Sequence, residues 1–173
     1  MKNETPYIRT GIGQKSHRFL PPESTKPCVI AGIIFDNTPG FQSRSDGDVV
    51  FGALCNAISS LTGAPILSDI AVSLRTKDGI TDSEVYLKEA VKTLKSQKIT
   101  HVAITLEAKR PYFQDQLPEM KKRIARALGI LAQQVGITAT SGAGLTDCGC
   151  GDGVSCIAIL TTCDSGPSNG NLF

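Results

Sequence analysis

Two stretches carry the residue types with the most chemistry, and the rest of the chain reads as scaffold and pocket around them. The first is Thr10-Gly11-Ile12-Gly13-Gln14-Lys15-Ser16-His17-Arg18-Phe19, and the second is Ser45-Asp46-Gly47-Asp48-Val49-Val50-Phe51-Gly52. Lys15 offers a point charge suited to phosphate. Taken by itself His17 reads as a polar loop residue, because a lone histidine is little evidence for a site. Ser45, Asp46 and Asp48 have a complete explanation as a turn and helix cap. Of six cysteines, at positions 28, 55, 148, 150, 156 and 163, only Cys148-Gly149-Cys150 is clustered. A C-x-C pair by itself is little evidence for a metal.

The elements that must position these residues follow from composition and pattern. The 173 residues suit one domain over 1–173, with a core at about 7–163 and flexible tails. Apolar residues make up 40% and charged residues 20%, the balance of a globular chain. Eighteen Lys and Arg against sixteen Asp and Glu give +2, too even to argue for nucleic acid or a membrane surface. Residues 1–10 are polar and lack the apolar stretch of a signal peptide, so the expected location is cytoplasmic and the cysteines are expected as thiols.

Along the chain, residues 7–14 read as a strand ending in a Gly-x-Gly turn, and 16–26, with Pro21-Pro22, as an irregular loop. Residues 28–35, rich in Ile and Val, read as one strand. Ser45-x-x-Asp48 has the form of a capping box opening a helix whose buried face is Val49, Val50, Ala53, Leu54, Ala57, Ile58 and Leu61, with Gly63 as its stop. A short helix is expected over 69–74, and a second capping box, Thr81-Asp82-Ser83-Glu84, opens a helix with lysines on its outer side. Residues 99–107 are expected as a strand and 111–118 as a loop. Met120, Ile124, Ala125 and Leu128 mark a third helix, with Lys121, Lys122, Arg123 and Arg126 on a solvated face. Strands at 136–140 and 154–162 flank a Gly-rich irregular stretch, 141–153, and a loose tail follows from 163. Strands alternating with helices place the chain in the α+β or α/β class.

The order of these motifs resembles one family, the 2-C-methyl-D-erythritol 2,4-cyclodiphosphate synthases. The resemblance runs from about Ile8 to Thr162. It is carried by Gly11-x-Gly13-x-x-x-His17-x-Phe19, Ser45-Asp46-Gly47-Asp48, Thr81-Asp82-Ser83, Arg110-Pro111, Leu117-Pro118-x-Met120, Ala139-Thr140-Ser141 and Gly151-Asp152-Gly153. It implies an α+β protomer, a single-domain mixed β-sheet with helices packed on one face, assembled as a homotrimer with active sites between subunits. It also implies an intramolecular displacement that cyclises a CDP-linked sugar-alcohol phosphate and releases CMP, with Zn2+ and Mg2+ (or Mn2+) orienting the diphosphate.

Under that resemblance Ser45 and Asp46 lie at the substrate, Asp69 matches a substrate-binding Asp, Arg110 borders the cytidine site, and Thr140 and Ser141 touch the nucleotide phosphates. The family holds zinc with Asp-x-His on the first stretch and a His on the following helix. Here those positions are Lys15, His17 and Gly52, which leaves His17 as a remnant ligand. The family's magnesium-binding Glu falls at Ala143, a Lys near the cytidine phosphates at Tyr112, and an Arg facing the trimer's central cavity at Cys150. An ammonium has no lone pair to offer a metal. A carboxylate plus Zn2+ nevertheless carries the same single positive charge as Lys15. The changes predict a cyclodiphosphate synthase with impaired turnover. The alternative is a non-catalytic trimer that binds a cytidine nucleotide or an isoprenoid diphosphate, or that partners an active paralogue.

Overall fold

The structure, a computed structural model, describes residues 7–164. The tails expected to be flexible lie outside the described residues, apart from Cys163 and Asp164, which belong to the last strand.

Strand β1 (Tyr7–Arg18) runs antiparallel to β6 (Gly153–Asp164), β6 runs antiparallel to β4 (Lys98–Glu107), and β4 runs parallel to β5 (Val135–Thr140). The order β1-β6-β4-β5 is therefore a mixed sheet, as the resemblance implied. One face is apolar and buried: Val154, Cys156, Ala158 and Leu160 from β6 alternate with outward residues, and Val102, Ile104 and Leu106 do so on β4. That period of two is what burying one sheet face demands. Helices α1 (Val49–Thr62), α3 (Ser83–Lys92) and α4 (Leu117–Leu128) supply the other half of the core, with Leu54, Ile58, Leu87, Met120 and Ile124 fully buried. Each such side chain contributes roughly 1.5–3 kcal/mol. The opposite sheet face keeps Ile12, Ile157 and Ile159 exposed.

The seat of α1 on β1 depends on two glycines. A Cβ at Gly11 would overlap the Ala57 carbonyl and the Leu61 side chain, and one at Gly13 would overlap backbone atoms of Ala53 and Ala57. The Gly-x-Gly pair is thus a contact surface inside a strand rather than the turn expected to end it. β1 continues four residues further, through Lys15 and His17, to Arg18.

Other expectations are corrected as well. The single strand over 28–35 is two, β2 (Pro27–Ile30) and β3 (Ile33–Pro39), joined by Ala31 and Gly32 with φ of 53° and 70°. A two-residue turn with both residues at positive φ matches the twist of a hairpin. Asp48 caps α1, but the box partner is not Ser45: the Asp48 carboxylate accepts from its own helix, at Val50 N (2.9 Å) and Phe51 N (3.1 Å). In α3 the cap is Asp82, accepting from Glu84 N, rather than Thr81. The short helix over 69–74 is a π turn (Ile66–Ile70) running into α2 (Ala71–Asp78). The loop over 111–118 contains a 3-10 turn at Gln114–Gln116, and α4 begins at Leu117. Inside the Gly-rich stretch sit a 3-10 turn, Gly142–Gly144, and one helical turn, α5 (Asp147–Cys150).

Candidate functional site

On β1 the residues facing α1 are Gly11, Gly13, Lys15 and His17 in alternation. The helix, held close by the two glycines, then meets Lys15 at Gly52. A Cβ at Gly52 would lie 2.9 Å from Lys15 Cγ and 3.4 Å from Cδ, so the lysine stem occupies the space that a larger residue at 52 would need. Lys15, His17, Ser45, Asp48 and Gly52 line one cavity of about 110 Å³, whose wall also includes Ser43, Arg44, Arg75, Ser83 and Tyr86. Two sequence-predicted stretches, about thirty residues apart, therefore converge here, as does the Thr81-Asp82-Ser83 landmark.

The loop that carries Ser45 is fixed from several sides. The Lys26 ammonium donates to the carbonyls of Phe41 (2.9 Å), Ser43 (2.9 Å) and Ser45 (2.5 Å). Asp46 accepts from Asp48 N (3.1 Å), from Ser83 N (2.9 Å) and from the Ser83 hydroxyl. Asp48, 2% exposed, accepts from Gly32 N (2.7 Å) as well as from α1, and so ties the β2–β3 hairpin to the helix. Burial pushes its pKa up to about 7, Asp46 adds to that, and the N–H donors work against it.

His17 is half-buried. Burial first, then the charges of Lys15 and Lys26, push its pKa down to about 4, with Asp46 opposing. It is a neutral imidazole at pH 7, one donor and one acceptor. Burial likewise pushes the Cys55 thiol, on α1, up to about 12. Lys26, Arg44, Arg75 and Ser83 did not stand out in the sequence as site residues. Ser83 alone had a signal, its place in the third landmark.

The remaining expected site residues lie elsewhere within one chain. Asp69 is exposed on the π turn, and only its neighbours Leu67 and Ala71 reach the cavity. Arg110 stacks over the Phe19 ring at 5.3 Å and lines two other depressions, one with Lys26 and Phe35, one with Arg18 and Asp152. Thr140 and Ser141 close β5, where their hydroxyls accept from Gly142 N and Ala143 N. Tyr112 is exposed, and Ala143 takes a positive φ of 49°, an uncommon conformation for a residue with a Cβ. The Cys150 thiol is exposed and donates to the Gly144 carbonyl, whereas burial and nearby Glu107 and Asp147 raise the Cys148 pKa, which disfavours a thiolate there.

The donor set does not fit the zinc site that the resemblance implies. Among the described residues no three His, Cys, Asp or Glu side chains are grouped so as to hold a metal ion. Lys15 brings a cation to the place of a carboxylate, and its stem fills the place of the second imidazole. No fully buried side-chain nitrogen or oxygen among the described residues is left without a partner. At the expected magnesium position Ala143 offers no carboxylate.

Comparison with known proteins agrees with the architecture. The YgbB family pattern matches residues 8–163. The chain belongs to this family, that of the 2-C-methyl-D-erythritol 2,4-cyclodiphosphate synthases of isoprenoid biosynthesis. It is 59% identical over 157 residues to 2-C-methyl-D-erythritol 2,4-cyclodiphosphate synthase of Chlamydia caviae, covering 90% of this chain and 89% of that one. Among solved structures it is similar to the bifunctional IspDF of Campylobacter jejuni (TM-score 0.78, 25% identity), covering 92% of this chain and 43% of that longer one. It is also similar to the 2C-methyl-D-erythritol 2,4-cyclodiphosphate synthase of Plasmodium vivax (TM-score 0.75, 26% identity), with 90% and 97% covered.

Proposed function

We propose that this chain is a cyclodiphosphate synthase-like protein whose cavity at Lys15 and His17 takes the diphosphate of a CDP-linked methylerythritol phosphate, and whose turnover is impaired. The reaction is an intramolecular displacement at phosphorus with CMP as leaving group. The observation that carries the reading is the packing of Lys15 on Gly52: the fold is that of the family, while two of the three positions expected to ligate zinc hold Lys15 and Gly52 and only His17 remains. Family membership implies divalent-metal use in general, with Zn2+ and Mg2+ or Mn2+ as the expected ions. Zinc and magnesium lack their ligands here, so positioning and charge are what the chain itself brings to the diphosphate.

In this reading the protein is one domain with a core at about 7–163, cytoplasmic, acting as a homotrimer. Two observations support the trimer. Ile12 is paired with Ile159 on the sheet face that no helix among the described residues covers, an apolar strip suited to a second copy. Thr140, Ser141 and Arg110, expected at the nucleotide, lie away from the Lys15 cavity within one chain, and a neighbouring copy can supply them. No helix among the described residues is long and apolar enough to cross a membrane.

The same Lys15–Gly52 contact favours a second reading, a non-catalytic trimer that binds a cytidine nucleotide or isoprenoid diphosphate, or joins an active paralogue. Incubating the protein with substrate and Mg2+, with and without Zn2+, and following CMP separates the two. Slow CMP release supports the first reading, CDP binding without CMP the second, and CMP release at the rate of an unaltered family member overturns both.

A further inference from the structure

The wall of the Lys15 cavity has an uneven charge inventory. Its cationic side chains are Lys15, Arg44 and Arg75, and none of these is in an ion pair with a carboxylate among the described residues. The two carboxylates at hand are already engaged. Asp46 takes two backbone N–H groups and the Ser83 hydroxyl, and Asp48 takes three N–H groups. Hydroxyls of Ser43, Ser45, Ser83 and Tyr86 complete the lining. The Ser83 and Tyr86 hydroxyls donate to Asp46 and to the Ile80 carbonyl, and those of Ser43 and Ser45 bond each other, so the cationic side chains are the cavity's donors, and phosphoanhydride oxygens are the acceptors they suit.

The contact between Lys15 and Gly52 sets where that charge sits. The stem lies against the helix at Gly52, where a Cβ would come within 2.9 Å of Lys15 Cγ. The lysine at 15 and the glycine at 52 thus form a sterically coupled pair: a bulky residue at 52 and the present lysine position exclude each other.

We propose that Lys15, seated on Gly52, supplies with its own ammonium the charge that a metal cation contributes at this place in the family, so that the cavity binds a diphosphate group with no metal present. This rests on the reading above, that the ligand carries a diphosphate. A carboxylate with a divalent cation and an ammonium alone both present one net positive charge to the anion. The ammonium attracts without coordinating, so it retains the ligand but does not fix the phosphorus geometry as a Lewis acid does. Binding is thereby uncoupled from turnover.

The test uses the full chain, treated with chelator, and calorimetric titration with CDP and, separately, inorganic pyrophosphate. The expected result is the same Kd in EDTA and in added Zn2+, within about twofold. Lys15→Met weakens binding of either probe about tenfold or more, the scale of a lost charge-assisted hydrogen bond, with an unchanged thermal midpoint. The double variant Lys15→Asp, Gly52→His gives His17 two companion ligands. It is expected to retain equimolar zinc through dialysis and to bind CDP only when zinc is present.

Equimolar zinc retained by the unaltered chain, binding that requires zinc, or undiminished binding by Lys15→Met overturns the proposal. If the double variant does not fold, the first two arms still decide. Lys15-dependent pyrophosphate binding without CDP binding leaves this inference standing and removes the cytidine reading. CDP binding only with zinc does the reverse, and no binding of either probe removes both.

Discussion

The two sides of the cavity differ in kind. On the side formed by loop 42–48 and the start of α3, the cited donors and acceptors are matched with one another: Lys26 on three carbonyls, Asp46 on Ser83, Asp48 on α1 and the hairpin. On the side formed by β1 and α1, the contacts that face the cavity are steric, glycine against helix backbone and lysine stem against glycine, while the hydrogen bonds between the two elements, Arg9 to the Leu61 carbonyl and Asn56 to the Gln14 carbonyl, lie away from it. The first side holds the fold together and also borders the cavity. On the second, the residues that would do chemistry support little structure, so they can change as a pair while the strand and helix stay in place. That difference explains how a chain with the family's fold can carry Lys15 and Gly52 at two places where the family resemblance expects zinc ligands.

The comparison breaks most visibly within the second side, at the crossing of β1 and α1. Gly13→Ala puts a Cβ into backbone atoms of Ala53 and Ala57, which no side-chain rearrangement can relieve. The expected cost is about 4 kcal/mol or more, read as a large fall in the urea midpoint or loss of folded protein. A variant as stable as the parent would show that α1 does not sit on β1 as described. Next in size, Asp48→Ala strands the N–H groups of Gly32, Val50 and Phe51 in a buried place. That removes about 3 kcal/mol and lowers Tm by roughly 10 °C. Lys15→Met, on the other side, is expected to leave Tm unchanged, and this contrast is the sharpest form of the comparison.

Sequence reading reached the matched side better than the steric side, for a physical reason. Caps and periodicity are local, so Asp48 before Val49, Val50 and Ala53, and Asp82 before Ser83 and Leu87, announce their helices within a turn or two. Gly63, read as a stop, ends α1 in the left-handed conformation. Which residue does the capping is settled by distant partners: Asp48 is fixed by Gly32 from the hairpin, a contact that Ser45-x-x-Asp48 does not encode. The hairpin itself was hidden because Ala31, a residue that seldom takes positive φ, forms its turn with Gly32. The Lys15–Gly52 contact joins residues on different elements, and only the family resemblance marked both positions. Asp69 was placed by the same resemblance, but here the segment forms a π turn that points neighbouring positions, Leu67 and Ala71, at the cavity.

The two sides are also expected to oppose each other in pH dependence. Asp48 has its folded pKa raised from 3.8 to about 7, so the folded state binds more protons than the unfolded state between those values. Its contribution to stability is present at low pH and is lost as pH rises toward 7. His17 has its folded pKa lowered from 6.5 to about 4, so there the unfolded state binds more protons, and its contribution is lost as pH falls from 6.5 toward 4. The slopes partly cancel in the parent. Asp48→Asn is expected to leave stability rising with pH between 4 and 6.5, and His17→Gln to leave it falling between 4 and 7, both read from urea unfolding at intervals across this range. The same slope in both variants would remove this account.

The smallest effect is expected at the rim, where Arg18 ends β1 and reaches Asp147 (3.0 Å) and Asp152 (3.1 Å). The arginine side chain is 57% exposed and its partners 78% and 52%, so solvent screens both pairs and Arg18→Ala is expected to cost only about 0.5 kcal/mol. The turn at α5 is held by more than these pairs: Phe19 N donates to the Asp152 carbonyl, and the Thr146 hydroxyl donates to Glu107. Global unfolding in Arg18→Ala should therefore barely move, while amide exchange over 147–152 quickens, because the local opening loses its two outer restraints. Equal exchange in parent and variant would assign the turn wholly to the backbone and Thr146 contacts. A loss of several kcal/mol would mean that the rim, like loop 42–48, belongs to the part of the site that holds the fold together.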